Sequence, residues 1–327
     1  MRVVAIVFTG GTISMRYDAA AGGAIPSLGA GEILAAARGV GDAAELVVDE
    51  WGRYPGPHMS LDRMWALRGH LASLVERPDI DGVVVTHGTD TLEESAYLAT
   101  RSIATDKPVV FTGAMRNASE LGWDGPANLS DAVRVAASEE ARGYGALVAL
   151  NGRVFAGLDV TKAHTHLLDA FESPGLGPVG VVDDGAVIFR RALPSRPPVL
   201  APPALGEPVD IVLSYAGADS RLLDAARAGE GGARGVVVAA LGRGNVPPPL
   251  ADGIAACLGN GIPVVVTSRA WRGRVGATYA YEGGGRHLER LGAVLGGARR
   301  PQQARIDLLL ALGAGLSGAD LKRVFDQ

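Results

Sequence analysis

The chain has 327 residues, enough for about two domains with separate cores, and its 47% apolar and 20% charged residues are ordinary for a soluble globular enzyme. A net charge of −4 supplies no basic surface, which argues against nucleic acid and anionic membranes as partners. The single cysteine, Cys257, excludes an internal disulfide framework and a cysteine-based zinc site, and no apolar run approaches the ~18 residues of a bilayer span.

In chain order, Arg2 precedes only six apolar residues, Val3 to Phe8, before Thr9-Gly10-Gly11. That run is too short for the core of a signal peptide and reads as a first buried strand, so the cytoplasm is the expected location. Gly10 and Gly11 allow a sharp turn and close approach to a ligand, beside the hydroxyls of Thr9, Thr12 and Ser14. A loop with Tyr17, Gly22, Gly23 and Pro26 leads to a helix over Gly31 to Arg38, a strand over Glu45 to Val48, a loop over Gly52 to His58 and a helix over Leu61 to Val75.

Val83-Val84-Val85, then Thr86-His87-Gly88-Thr89-Asp90-Thr91, then Leu92, Ala96 and Ala99 in helical spacing, read as strand, tight loop and helix. The loop carries more side-chain chemistry than capping requires, at the strand end where open α/β sheets bind ligands. Two readings stay open at this point: a ligand site, or a plain helix cap through Asp90 or Thr91. The pattern then repeats with a strand over Pro108 to Phe111 and a helix over Pro126 to Ala141. A strand over Ala146 to Leu150 turns at Asn151-Gly152, and Asp183-Asp184-Gly185 marks a second hairpin. This alternation predicts an α/β fold with a large, doubly wound, mostly parallel sheet carrying a β-hairpin over residues 1–192.

Six prolines between Leu193 and Pro208 exclude a helix or a central strand there, so 193–208 is expected to be a linker. Strands over Asp210 to Ser214, Gly235 to Ala239 and Pro263 to Thr267, with intervening helices, predict a smaller parallel α/β domain over 209–327.

The chain has no phosphate-binding P-loop, no His-Glu-x-x-His and no Gly-x-Ser-x-Gly. Gly175 to Gly180 matches a dinucleotide-binding string but precedes a strand and contains Pro178, so it is discarded. His164 and His166 lack a third partner for a metal and read as loop residues. Lysine occurs only at 107, 162 and 322, so arginine supplies the general surface charge. A lysine kept in Asp159-Val160-Thr161-Lys162 suggests a role guanidinium cannot fill, because an amine can be tuned to act as a base. Thr12, Thr89 with Asp90, and Lys162 together offer a hydroxyl nucleophile, a base and an orienting group. The glycine loops add N–H donors for an oxyanion, which points to acyl transfer.

These residues resemble the bacterial-type L-asparaginase family. The resemblance runs through Thr9-Gly10-Gly11-Thr12-Ile13, Val85 to Glu94, Asp159 to Lys162, Thr112 to Arg116, Asp124-Gly125-Pro126-x-Asn128-Leu129 and Gly242-x-Gly244-Asn245, nearly the whole chain in order. It implies cofactor-free hydrolysis of asparagine to aspartate and ammonia, no metal, a small-molecule amide substrate and a homotetramer made of intimate dimers with sites between subunits. It further implies Thr12 as nucleophile, with Thr89, Asp90 and Lys162 in support. Asp90 would also hold the substrate α-amino group, Ala114 would line the pocket, and Asn245 and Glu282 would reach the neighbouring subunit's site; apart from the resemblance, Gly11, His58 and Gly88 are expected to contact substrate.

Three departures accompany the resemblance. Ala24 stands where the family's flexible loop carries tyrosine, leaving Tyr17 to serve or the role unfilled. Gly56-Pro57-His58 stands in place of a Ser-Gln loop, and Glu282 matches loosely. A related amidohydrolase acting on glutamine or another small amide, and a non-catalytic amino-acid sensor on the same fold, are the alternatives.

Overall fold

In the computed structural model, which describes residues 1–193, 196–229 and 231–326, the apolar runs of the first half become adjacent strands of one sheet. The chain divides into two compact units, Met1–Val199 and Leu200–Gln327. The first is built on an eight-stranded sheet in the order Ala186–Phe189, Gly180–Asp183, Arg153–Ala156, Ala146–Leu150, Val109–Thr112, Gly82–Thr86, Val3–Gly10, Glu45–Tyr54. The last five of these run parallel, and the first three add on antiparallel. Buried on both faces, the central strands read as unbroken apolar runs instead of alternating ones. Val84 points into a layer with Leu129 and Val133, whereas Val83 and Val85 point into the opposite layer with Leu71 and Ala96.

The α/β class, the mostly parallel sheet and the smaller second sheet agree with expectation. The hairpins turn as their residues demand: Asn151 and Gly152 have φ of 52° and 68°, and Asp184 and Gly185 have 47° and 76°. Both central residues of such a turn need positive φ, which Asn, Asp and Gly tolerate best. In the second unit, Val209–Leu213, Gly235–Ala240, Val264–Ser268 and Val294–Leu295 form a parallel four-stranded sheet.

Several boundaries differ from the sequence reading. The strand expected over Glu45 to Val48 continues to Tyr54. It lies at the sheet edge, where Asp49, Glu50 and Arg53 reach solvent, and the charge that suggested a loop is tolerated. The helix expected to reach Ala141 ends at Ala137. Ser138 turns extended and donates to Glu140 Oε2 at 2.6 Å, and a separate 3₁₀ turn follows. The supposed loop around Tyr17 is a hairpin, Met15–Asp18 against Gly23–Pro26, in which Tyr17 lies directly opposite Ala24. Gly285–Leu291 is a helix that the glycine run at 283–285 concealed.

Of the expected linker, Pro194 lies outside the described residues. Arg196 donates to the Thr105 carbonyl, and the Pro198 carbonyl accepts from Arg101, so this part of the segment lies against the first unit. Gly206 N–H donates to Leu309 in the second unit.

The strand Val3–Gly10 is followed in sequence by its edge neighbour Glu45–Tyr54, and the next strand, Gly82–Thr86, pairs on its other side. The winding direction of the sheet therefore reverses at Val3–Gly10. The loops leaving its carboxyl end and that of Gly82–Thr86 part there and open a crevice.

Candidate active site

Four loops line this crevice, and they meet backbone to backbone. A Cβ added at Gly11 would lie 2.5 Å from Gly88 N, and one at Gly88 would lie 2.4 Å from the N and Cα of Gly56. A Cβ at Gly113 would lie 2.5 Å from the His87 carbonyl oxygen. Gly10 and Gly11, with φ of 108° and 85°, also need a conformation that side chains resist. Glycines at these points let the loops 10–12, 56–58, 87–90 and 113–115 share one crowded volume.

Hydrogen bonds fasten each loop. Thr9 Oγ1 donates to the Thr86 carbonyl at 2.7 Å, and Gly11 N–H donates to the Tyr54 carbonyl at 2.9 Å. The Gly11 N–H is thereby committed to the protein, which leaves that residue close approach to a ligand in place of donation. Thr12 follows at the start of a 3₁₀ turn, half-buried, and Ser14 Oγ closes that turn on the Gly11 carbonyl at 2.8 Å. Asp124 accepts from the N–H groups of Met115 and Arg116, and Asn128 Nδ2 donates to the Gly113 carbonyl at 3.0 Å. This pair, known from the sequence only as part of a matching string, holds the strand-end loop that contains the fully buried Ala114.

The helix Leu92–Ser102 and its N-cap, Thr91, carry three further ties. Thr91 Oγ1 donates to the Gly56 carbonyl at 2.9 Å, Ser95 Oγ lies 2.9 Å from His87 Nε2, and Glu93 Oε2 accepts from Lys162 N–H at 2.5 Å. Lys162 lies on a short strand, Thr161–Lys162, paired antiparallel with Phe171–Glu172. Its Nζ donates to Thr89 Oγ1 at 2.9 Å and to Asp90 Oδ1 at 2.7 Å. Lys162 is thus in direct contact with Thr89 and Asp90, more than seventy positions earlier in the chain.

His58 is exposed at the end of a 3₁₀ turn, Gly56–His58, whose first residue packs against Asp90. In the second unit, Asn245 Oδ1 accepts from Gly285 N–H at 3.3 Å, and Glu282 is exposed in the loop before that helix. Among the described residues, no group of three His, Cys, Asp or Glu side chains could hold a metal ion. No helix among them is long and apolar enough to cross a membrane.

His87 is fully buried, and burial pushes its imidazole down to about 4. Its Nδ1 lies 2.8 Å from the Gly88 carbonyl oxygen, which can only accept. Nδ1 therefore carries the proton, and neutral Nε2 accepts from Ser95. Sequence reading missed the structural work of His87, Glu93, Asp124 and Asn128. Only the burial of the surrounding apolar pattern could have flagged the first two.

The description "Asparaginase, N-terminal" matches residues 3–195, and "Glutaminase/Asparaginase C-terminal domain" matches residues 208–325. The chain is 37% identical over 335 residues to a probable L-asparaginase of Deinococcus radiodurans, covering 99% of this chain and 97% of that one. It is 33% identical over 319 residues to an L-asparaginase of Bacillus licheniformis, covering 96% and 97%. The crystal structure of a probable cytoplasmic L-asparaginase from Campylobacter jejuni matches with a TM-score of 0.89 and 31% identity over 100% of both chains. Fold and relatives together define a hydrolase built of two α/β units. The chain belongs to the asparaginase family and is an enzyme of that kind.

Two predictions follow from the packing and the buried imidazole. Gly88→Ala should displace the loops and lower the melting temperature by several degrees, corresponding to about 1–3 kcal/mol of overpacking; a melt unchanged from wild type would contradict the contact with Gly56.

The second concerns acid. Unfolded, His87 takes up a proton near pH 6.5, and folded only near 4, so acidification across that window favours unfolding by up to about 3 kcal/mol. Asp131 opposes it, because burial raises that carboxyl to about 6 and acidification favours its folded form. The melting temperature of His87→Gln should therefore fall less than that of wild type between about pH 7 and 4, and thermal melts across that range would reveal an equal or steeper fall if the reading is wrong.

Proposed function

We propose that the protein hydrolyses L-asparagine to L-aspartate and ammonia through an ester on Thr12. The observation that supports this most is the Lys162 ammonium bonded at once to Thr89 and Asp90, beside the loop that carries Thr12. Thr12 Oγ attacks the side-chain amide carbon, and the proton it loses passes by way of the Thr89–Lys162 pair to the amide nitrogen, so ammonia leaves. Water then adds to the β-aspartyl ester, aspartate departs and Thr12 regains its proton.

Asp90 is more than half exposed, and beyond its bond to Lys162 its carboxylate receives the substrate's α-ammonium. His58 donates to the substrate carboxylate, Ala114 lines the wall beside the amide, and Gly11 and Gly88 keep that wall thin enough for substrate to lie against main chain. The reaction uses no cofactor. The protein acts in the cytoplasm, as the name of the Campylobacter relative suggests for that enzyme, and as a homo-oligomer in which Asn245 and Glu282 reach a neighbouring copy's site.

Gly56-Pro57-His58, standing where the resembled family carries a Ser-Gln loop, favours a second reading, a shifted preference toward glutamine or another small amide. Ammonia release from a panel of L-asparagine, D-asparagine, L-glutamine and peptide amides separates the two. Thr12→Ala and Lys162→Met should each lower turnover of L-asparagine by about 10³-fold or more, as expected when a group that acts in the reaction is removed; ammonia release near the wild-type rate from either variant would end the proposal.

A further inference from the structure

The Lys162 side chain is held at its tip, but a four-carbon stem reaches a fixed point only if its own backbone is fixed. Lys162 lies on a strand two residues long whose one partner strand is equally short. Such a ladder gives little registration by itself. Opposite Phe171, the Lys162 N–H turns away from the ladder and donates to Glu93 Oε2 at 2.5 Å. Glu93 is buried at the first turn of the helix Leu92–Ser102, the same helix that ties down Gly56 through Thr91 and His87 through Ser95. A carboxylate is well placed there, because the N-terminal end of a helix favours negative charge, and a charged acceptor bonds a backbone N–H more strongly than a neutral one.

We propose that Glu93 is a positioning residue of the reaction. Through the Lys162 main chain it registers the lysine ammonium between Thr89 Oγ1 and Asp90 Oδ1. Glu93 does not touch substrate on this proposal. It couples the segment around residue 162 to the helix that already carries the Thr89–Asp90 loop at its N-terminus, so that all three members of the cluster move as one body. The inference rests on the role given to Lys162 above.

The test compares Glu93→Ala, Glu93→Gln, Glu94→Gln and Lys162→Met in the full-length chain, by steady-state ammonia release from L-asparagine and by thermal melts. Glu93→Ala should lower kcat by about 10- to 100-fold with KM changed by less than about threefold, the cost of misplacing a reacting group by about an ångström. Glu93→Gln keeps an oxygen acceptor for the Lys162 N–H and should recover to within about fivefold of wild-type kcat. Glu94→Gln removes the neighbouring first-turn charge and should leave kcat alone.

Wild-type kcat in Glu93→Ala with inactive Lys162→Met overturns this inference only, whereas an active Lys162→Met overturns the catalytic reading beneath it. An equal kcat loss in Glu94→Gln would assign the effect to general helix charge and also overturn it. Should Glu93→Ala fail to fold, Glu93→Gln decides: wild-type KM with kcat within fivefold supports the proposal, and a loss as deep as that of Lys162→Met overturns it.

Discussion

Where Gly11 meets Gly88 and Gly88 meets Gly56, main chain rests on main chain with no room for a methyl group between. The site depends on this contact more than on any polar bond. A parallel sheet delivers loops to its carboxyl edge at the strand spacing of roughly 5 Å, which side chains ordinarily fill. By omitting those side chains at four points, the chain lets loops from separate strands occupy the space of one. Thr12, Thr89 and Asp90 each follow one of these glycines by one or two positions. Their spacing is set by the backbone and not by flexible stems.

Onto this frame the polar ties add direction. Thr89 is 4% exposed, the Lys162 side chain 16% and the Asp90 side chain 55%, so the cluster runs from the interior to solvent along one line of hydrogen bonds. The charge pair thus lies at the wet end, where ionised groups lose least solvation, and the neutral hydroxyl lies at the dry end. Around the cluster, Asp124, Asn128 and Ser95 each satisfy a main-chain or imidazole group in the crowded loops, and Thr91 adds a second donor to the Gly56 carbonyl.

The sheet was legible because its central strands are buried on both faces and spelled by unbroken apolar runs, and the two Asx-Gly turns announce themselves by the φ they require. Thr89, Asp90 and Lys162 were legible as strand-end polar residues and, for the lysine, by the rarity of its type. The edge strand to Tyr54 was not, since an edge tolerates the charges that normally mark a loop. Nor was the Gly285–Leu291 helix, because two glycines precede it and a third opens it. Glu93 reads in sequence as an ordinary first-turn acid. Only the fold discloses that residue 162 arrives beside it, a long-range contact that no local pattern encodes. The second unit's Asn245 was named from resemblance, and its bond to Gly285 N–H has no signature in the string.

The hairpin Met15–Asp18 with Gly23–Pro26 bears on how such proteins are compared. Directly opposed residues of an antiparallel pair share a face, with Cβ atoms about 5 Å apart. Tyr17 and Ala24 are such a pair, so a phenol carried at 17 or at 24 sweeps much the same neighbourhood although the positions are seven apart in the chain. An alignment column would record an aromatic deleted at one place and an unrelated one gained at another. In space such a ring would cross only a single rung, and sequence drift of this kind can leave a surface chemically unchanged while erasing it from every position-by-position comparison.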